Sequence, residues 1–118
     1  CNRVVQDEET KIFSAQVWDP AEPFEFKKKN FRPKRDPLLI YECHIGMGQD
    51  AEKVGTYKEF KDNVLPRVIK DGYNCLQIMA LQEHPYYGSF GYHVSSFFAA
   101  SSRFGTPEEL KELKSLEE

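Results

Sequence analysis

The chain has 118 residues, enough for one small domain or for part of a larger one. Its 16 lysines and arginines stand against 19 aspartates and glutamates, and this formal net charge of −3 argues against a dedicated nucleic-acid binder. No apolar run approaches the ~18 residues of a membrane span and no secretory signal is recognisable, so we expect no membrane partner. Three widely spaced cysteines without a Cys-x-x-Cys motif indicate no disulfide framework and no zinc ribbon, which makes a reducing cytoplasm the expected location.

The first third of the chain is predicted to hold a strand and a charged linker. Residues 12–18 alternate, with Phe13, Ala15 and Val17 on one face, and Asp19-Pro20 ends the strand. Six basic residues then occur within nine positions, which fits either a polyanion contact or a solvated linker: Lys27, Lys28, Lys29, Arg32, Lys34 and Arg35. We favour the linker because no aromatic ladder accompanies the charges, and we place a domain boundary near residue 33.

The middle of the chain has the pattern of a strand–helix–strand unit. Residues 38–41 form a short apolar run, typical of a strand covered on both faces, and residues 75–81 are predicted to form a second strand. Between them, Thr56 and Glu59 make a capping box, and Gly72 is placed to cap the end of the helix. Pro66 lies inside this helix and should kink it. The unit predicts an α/β fold with a parallel sheet and a right-handed crossover.

A long aromatic loop is predicted from residue 82 to residue 105. We expect Phe97 and Phe98 to anchor it in the core. Its tyrosines, Tyr86, Tyr87 and Tyr92, either pack in the same way or offer a sugar or a base a stacking face and a hydroxyl.

The last element is predicted to be a helix that begins after Thr106, with Pro107 as its first residue. Leu110, Leu113 and Leu116 form its apolar stripe. Since this helix leads to no further strand, the parallel sheet would keep an open edge, and we expect the chain to be incomplete.

Candidate chemistry is sought beyond the carboxyl ends of the parallel strands, where α/β folds bind ligands. The histidines are His44, His84 and His93; they form no His-x-x-x-His pair, so a zinc site is not favoured. We interpret His44 as a packed, supporting side chain rather than a general base. Cys43 has no base arranged to activate it, and the glycines at 46 and 48 do not complete a phosphate-binding motif.

Several longer motifs then follow one another along the chain: Leu-Ile-Tyr-Glu-Cys-His-Ile-Gly-Met at 39–47, Gly-Thr-Tyr at 55–57, Asn-Val-Leu-Pro-Arg at 63–67, Gly-Tyr-Asn at 72–74, Gln-Ile-Met-Ala at 77–80, Gln-Glu-His at 82–84, Tyr-Tyr-Gly-Ser-Phe-Gly-Tyr at 86–92 and Ser-Ser-Arg-Phe-Gly-Thr-Pro-Glu at 101–108. In this order they resemble the glycogen and starch branching enzymes, and the wording of 86–92 resembles the eukaryotic type. Residues 18–20 and 24–27 resemble the end of the N-terminal carbohydrate-binding sandwich of that family.

The resemblance implies a partial (β/α)₈ (TIM) barrel of the α-amylase superfamily. Residues 34–118 would supply its first strand, first helix, second strand and the start of its second helix. Residues 1–33 would be the tail of an N-terminal β-sandwich glucan-binding module and a linker. A full barrel needs about 250 residues, so most of it would lie outside this chain.

The resemblance also implies a reaction and a substrate. Branching enzymes cleave an α-1,4-glucan and re-attach the segment by an α-1,6 bond, with retention, through a pair of carboxylates. Those carboxylates belong to later strands, so we expect no catalytic residue and no activity in this chain alone, an α-glucan as partner, and no cofactor or metal. Tyr92 matches the family's tyrosine that stacks beneath the reacting sugar; Phe90, His93 and Tyr87 are further candidate contacts.

The sequence departs from the family at Cys43, where we expect serine, and after Leu113, where the family continues with an apolar residue. Two alternatives stay open: an α-glucan hydrolase of the same superfamily, and a non-catalytic glucan-binding or interaction module. The open barrel edge further predicts that the isolated chain associates with itself, aggregates or stays molten.

Overall fold

The architecture is taken from a computed structural model that describes residues 3–33 and 36–117, the last two of these by their backbone alone. Some residues on which the sequence predictions drew lie outside the described set: Cys1, Lys34, Arg35 and the side chain of Leu116. The described chain forms three two-stranded sheets and two helical segments.

An antiparallel hairpin opens the described chain. Strand β1 (Arg3–Gln6) pairs with β2 (Phe13–Gln16), with Val4 opposite Ala15. The strand predicted over 12–18 is confirmed in its central four residues, but its pairing partner was not predicted. The apolar face that we expected is exposed, and Val17 lies beyond the strand with 93% of its surface accessible.

The segment after the hairpin packs along the C-terminal helix at two points. The Trp18 indole N–H donates to a carboxylate oxygen of Glu108 at 2.7 Å, and the Lys27 amide donates to the Ser115 hydroxyl at 3.4 Å. Residues 27–33 are exposed, which fits a solvated segment.

A parallel pair of strands forms the centre of the fold. Strand β3 (Ile40–Cys43) lies beside β4 (Cys75–Ile78), with Ile40 opposite Cys75, and the predicted parallel pairing is confirmed. The expected burial of residues 38–41 on both faces is wrong, because Leu38, Leu39 and Ile40 are exposed. Burial begins at Cys43 and continues through Ile45, where helices cover the carboxyl end of the strand.

One interrupted helix connects the two parallel strands. It consists of α1 (Tyr57–Glu59), a π-helical turn (Phe60–Val64) and α2 (Leu65–Lys70). In the π-helical turn the Leu65 amide donates to the carbonyl of Phe60, five residues back. The wider turn makes room for the ring of Pro66, which would otherwise press on a carbonyl four residues back. Pro66 was predicted to kink this helix; the π-helical turn interrupts the regular bonding just before Pro66, and the bend itself stays a prediction.

Both ends of this helix are capped as predicted. The Thr56 hydroxyl accepts the Glu59 amide at 3.2 Å and donates to its carboxylate at 3.2 Å. At the other end the Gly72 amide donates to the Ile69 carbonyl at 3.1 Å, and the Tyr73 amide to the Val68 carbonyl at 3.3 Å. These two bonds make a Schellman motif, for which Gly72 adopts a left-handed φ of 89°.

The aromatic segment is not one loop. It contains β5 (Gln82–Glu83) paired antiparallel with β6 (Ser96–Ala100), and 3₁₀ turns at Tyr87–Ser89 and Ser102–Phe104.

The expected anchoring by Phe97 and Phe98 is wrong, because these side chains are 71% and 88% exposed. Gln82 pairs with Ala100 and Glu83 with Ser96, so residues 97–99 form a bulge between two neighbouring pairs. The bulge carries both rings outward, and Ala99 is buried instead.

The C-terminal helix α3 (Pro107–Glu117) begins as predicted. The Thr106 hydroxyl accepts the Glu109 amide at 3.3 Å, and Lys61 pairs with Glu112 across to the first helix at 2.9 Å. Leu113 is fully buried and Leu110 packs partly against the core, whose buried members are Cys43, Ile45, Tyr57, Phe60, Leu65, Phe104 and Leu113. No helix within the described ranges is long and apolar enough to cross a membrane.

Candidate functional site

The carboxyl ends of the two parallel strands lie side by side and carry the candidate site. The Met79 amide donates to the Cys43 carbonyl at 2.8 Å, so the residue after β4 is held against the end of β3. The Tyr92 hydroxyl lies 4.0 Å from the Met79 sulfur, and the rings of Tyr92 and His44 are 6.1 Å apart. Tyr92, 61% exposed, therefore stands at the edge where a ligand was expected.

A strained stretch of backbone presents Tyr92 at this edge. Phe90 and Gly91 both adopt left-handed conformations, with φ of 52° and 83°. A Cβ at Gly91 would collide with the carbonyl oxygen of Ala80, whose own φ is 51°. Only glycine satisfies both demands at position 91. The close approach of Gly91 to Ala80 therefore fixes the position of the backbone at Tyr92.

The other predicted glucan contacts differ in what they touch. Phe90 has a half-exposed ring and is joined to the strand edge through its carbonyl. The ring of Tyr87 lies under the Arg103 guanidinium at 4.7 Å, and His93 Nδ1 is 3.4 Å from the Tyr86 hydroxyl. The structure thus brings Tyr92 and the Phe90 backbone to the strand edge, whereas the contacts of Tyr87 and His93 run to other residues.

His44 lies next to Tyr92 and is 7% exposed. Its Nδ1 is 3.1 Å from the Gly46 amide, and its Nε2 is 2.5 Å from the Phe90 carbonyl oxygen. Both ring nitrogens are engaged by the backbone, which supports the interpretation of His44 as a supporting side chain rather than a base.

Glu83 and His84 are buried near the start of the aromatic segment. The Glu83 carboxylate accepts the amides of Ser102 at 2.8 Å and of His84 at 3.2 Å. His84 Nδ1 lies 3.2 Å from the Gln82 carbonyl. The Glu83 side chain thus binds backbone amides, while the His84 ring contacts the Gln82 carbonyl and the Ser101 hydroxyl, and these bonds stabilise the segment.

Arg103 makes structural contacts within the chain that were not predicted from the sequence. Its Nε donates to the His84 carbonyl at 3.0 Å, and its Nη2 donates to the Pro85 carbonyl at 2.5 Å and to the Gln6 side chain at 3.2 Å. With its stacking on Tyr87, the guanidinium joins the aromatic segment to β1. Its partners are 18 to 97 residues away in sequence, and no local pattern announces such a contact.

Tyr57, the first residue of α1, connects that helix to the end of the aromatic segment. Its buried hydroxyl donates to the Ser101 carbonyl at 2.8 Å. Burial, together with the negative charges of Glu83 and Glu109, raises the pKa of Tyr57 well above its usual value, so this hydroxyl keeps its proton at alkaline pH values at which an exposed tyrosine loses it.

Comparison with known proteins identifies relatives. The chain is 52% identical over 111 residues to the 1,4-alpha-glucan-branching enzyme of Dictyostelium discoideum, a match that covers 94% of this chain and 16% of the relative. It is 58% identical over 97 residues to that of Equus caballus, covering 81% and 14%. The chain is homologous to one segment of the 1,4-alpha-glucan-branching enzymes. The resemblance found from the motifs is confirmed, although no protein-family model matches the chain.

One plant relative adds a point about location. The chain is 56% identical over 102 residues to the 1,4-alpha-glucan-branching enzyme 2-2, chloroplastic/amyloplastic, of Arabidopsis thaliana, covering 86% of this chain and 13% of the relative. Because that branching enzyme is named for a plastid, the cytoplasmic location stays a prediction. The chain spans about a sixth of the length of several curated branching enzymes that it matches.

Proposed function

We propose that this chain is part of a 1,4-alpha-glucan-branching enzyme, a transferase that cleaves an α-1,4-glucan and re-attaches the freed segment through an α-1,6 bond. The observation that carries the proposal is that more than half of the aligned residues are identical to those of branching enzymes, in a segment that includes the strand edge and Tyr92.

The fold of this segment is proposed to be the start of a (β/α)₈ barrel. The parallel pair β3 and β4, joined by a helix and followed by α3, supports this reading of residues 34–118. The antiparallel hairpin β1–β2 supports the assignment of residues 1–33 to the tail of a β-sandwich module and a linker.

Tyr92 is proposed to be the glucan contact. Its ring is mostly exposed, and its hydroxyl end lies against Met79, so one face is available to a sugar. Apolar sugar faces stack well on aromatic rings, and the hydroxyl adds a polar handle. Phe90, Tyr87 and His93 line the same segment and are proposed as secondary contacts with a longer glucan.

The reaction is proposed to proceed with retention. One carboxylate attacks the anomeric carbon while another protonates the leaving oxygen, and the 6-hydroxyl of an acceptor then takes the segment. By the resemblance to branching enzymes these carboxylates belong to later strands of the barrel. This chain is therefore assigned substrate positioning, with Tyr92 holding the sugar at the end of β3 and β4.

The test uses the complete polypeptide that contains this chain. After incubation with amylose, α-1,6 linkages are counted by proton NMR and reducing ends by a colorimetric assay. A branching enzyme raises the α-1,6 linkages with little change in reducing ends. A rise in reducing ends alone would favour the hydrolase, and no change in either, together with binding of maltoheptaose, would favour a non-catalytic module.

A further inference from the structure

We propose that His44 is a positioning residue that fixes the left-handed backbone of Phe90, and through it the Tyr92 ring, against the carboxyl ends of β3 and β4. The proposal deepens the proposed function and rests on it for the role of Tyr92 in binding glucan. It assigns to His44 no contact with the substrate.

The hydrogen bonds of His44 define its tautomer. The Gly46 amide can only donate, so Nδ1, 3.1 Å away, is the acceptor and carries no proton. Nε2 then carries the proton and donates it to the Phe90 carbonyl oxygen, which can only accept. The neutral ring therefore joins the chain after β3 to the backbone two residues before Tyr92, with one donor and one acceptor at fixed separation.

The bond from His44 is important because it reaches a strained part of the backbone. Phe90 has a φ of 52°, which a residue with a Cβ rarely adopts, and Gly91 follows at 83°, where an added Cβ would collide with the Ala80 carbonyl oxygen. A bond to the Phe90 carbonyl restrains the peptide plane between these two residues. Any relaxation of that plane swings the next residue, Tyr92, away from the strand edge.

Packing holds the imidazole in place for this task. Its ring is 6.0 Å from the Phe104 ring, nearly perpendicular to it, and 6.1 Å from the Tyr92 ring. The side chain is buried, so water competes little for either nitrogen. Because the His44 ring is held in place at the end of β3, it can in turn hold Tyr92 in position. Binding sites need such support behind the residues that contact the ligand.

Two substitutions separate the two bonds of His44. Asparagine places its amide oxygen near the position of Nδ1, so His44→Asn keeps an acceptor for Gly46 and loses the donor to Phe90. Glutamine reaches farther, so His44→Gln keeps a donor for Phe90 and loses the acceptor for Gly46. His84→Asn is the matched control, because His84 is also buried and also packs on Phe104, at 5.6 Å, but its ring bonds go to Gln82 and Ser101.

The measurements are made on the complete polypeptide. Hydrogen exchange read by mass spectrometry reports the amides of residues 87–93, and steady-state kinetics with amylose report kcat and KM separately. For His44→Asn we expect faster exchange in residues 87–93 and a kcat lowered roughly 10- to 100-fold, as displaced positioning groups cost. For His44→Gln we expect much of the protection from exchange and much of kcat to be retained. For His84→Asn we expect a lower melting temperature with kcat retained.

A second cycle tests that His44 acts through Tyr92. If it does, His44→Asn lowers kcat little further in the Tyr92→Ala background, since the ring that it positions is already gone. Equal losses in both backgrounds would overturn the proposal. So would equal behaviour of the Asn and Gln variants, or unchanged exchange at residues 87–93 in His44→Asn.

Failure of the proposed function gives a different pattern. If the complete polypeptide makes no α-1,6 linkages, or Tyr92→Ala leaves its rate unchanged, the proposed function or the role of Tyr92 fails. The exchange difference between His44→Asn and His44→Gln still reports on the Phe90 bond in that event, because it needs no turnover.

Discussion

At the residue scale, Gly91 lies at the strand edge, where the structure leaves no room for a side chain. Gly72 has nearly the same φ, 89° against 83°, but an added Cβ at Gly72 meets nothing within 4 Å. We expect Gly72→Ala to cost about 1 kcal/mol, the price of a left-handed alanine. Gly91→Ala should cost about 1–3 kcal/mol more, because its Cβ meets the Ala80 carbonyl.

The check is chemical denaturation of both variants beside the unsubstituted protein. Equal losses of unfolding free energy would show that Ala80 moves aside freely and that the close approach at Gly91 is not a constraint.

Tyr92 carries the functional prediction at this scale. In the complete enzyme, Tyr92→Ala should raise the barrier by about 2–4 kcal/mol, or roughly 30- to 1000-fold in rate, because stacking and positioning of the sugar are both lost. Tyr92→Phe keeps the ring face and should retain much more activity. Since the ring is mostly exposed, neither change should lower the melting temperature greatly.

Two other tyrosines serve as controls, and branching rate and melting temperature are measured on the same preparations. Tyr73→Ala removes a partly exposed ring just before β4, at the opposite end of the sheet, and should leave kcat unchanged. Tyr86→Ala should lower the melting temperature rather than the rate, because Tyr86 contacts the His93 ring. An unchanged rate per folded molecule in Tyr92→Ala would make Tyr92 an ordinary packing residue.

At this scale the sequence allowed Tyr92 to be chosen, because a motif of the branching enzymes includes it. It did not reveal the partner of His44, since Phe90 lies 46 residues away and is engaged through its backbone. A backbone acceptor leaves no trace in the identity of its own residue, so sequence reasoning cannot find it.

At the scale of elements, local chemistry was predictable where the interaction is local. The caps at Thr56, Gly72 and Thr106 depend on bonds within a few residues and were all predicted. The hairpin of β5 and β6 was missed, because β5 is two residues long and its partner carries a bulge. Such strands show no alternation, and the exposed rings of Phe97 and Phe98 do not reveal that they belong to one.

Arg103 joins two elements, and its replacement tests that link. Arg103→Lys keeps the charge but cannot reach the carbonyls of His84 and Pro85 and the Gln6 side chain together. Because bonds from a charged donor contribute about 1.5–3 kcal/mol, we expect a loss of that size in unfolding free energy. Hydrogen exchange should also rise in β1 and at residues 84–89.

Arg67→Lys is the control for that experiment, because Arg67 is exposed on α2. It should change the unfolding free energy by less than about 0.5 kcal/mol. If Arg103→Lys behaves in the same way, the guanidinium does not join these elements in solution.

At the scale of the whole molecule, Tyr57 couples folding to alkaline pH. Its pKa is raised in the folded chain above the ordinary value of 10.0, chiefly by burial, so the folded state keeps a proton that the unfolded state releases. The stability that follows is complete below pH 10 and is lost as pH rises beyond it, by at most about 1.4 kcal/mol per pH unit. Tyr57→Phe lacks this loss.

Denaturation of both forms from neutral to alkaline pH tests the coupling. At neutral pH the tyrosine form should be more stable by about 1 kcal/mol, because its hydroxyl bonds to the Ser101 carbonyl. That difference should shrink above pH 10. A constant difference over the whole range would mean that the hydroxyl ionises equally in both states.

The parallel pairing of β3 and β4 was the part of the architecture that the sequence could predict, because two apolar runs flank a capped helix. The barrel and the β-sandwich stay predictions. The parallel sheet within the described residues has two strands, β3 and β4, and the exposed residues at its start, Leu38, Leu39 and Ile40, show why the sequence pattern alone misjudged burial. An apolar run indicates that a strand becomes covered, but not which segment covers it.

The last prediction concerns the 118-residue chain expressed alone. Its described surface carries large apolar side chains at the start of β3 and in the β6 bulge, where Phe97 and Phe98 are adjacent and largely exposed. Monomeric proteins seldom leave such adjoining apolar groups in water, and two-stranded sheets leave unpaired backbone at their edges. We therefore expect concentration-dependent self-association or a molten state, seen by sedimentation and by binding of a hydrophobic dye.

Replacing both rings by serine separates the bulge from the sheet edges as the cause. Phe97→Ser with Phe98→Ser should reduce association and dye binding if the bulge dominates, because the change removes apolar surface without touching the core. Val17→Ser, a change at a lone residue that is 93% exposed, should have little effect, since scattered apolar residues are ordinary on surfaces. A sharp two-state melt of a monomeric, unsubstituted chain would refute the prediction, because the exposed strand edges and rings would then be tolerated without any covering partner.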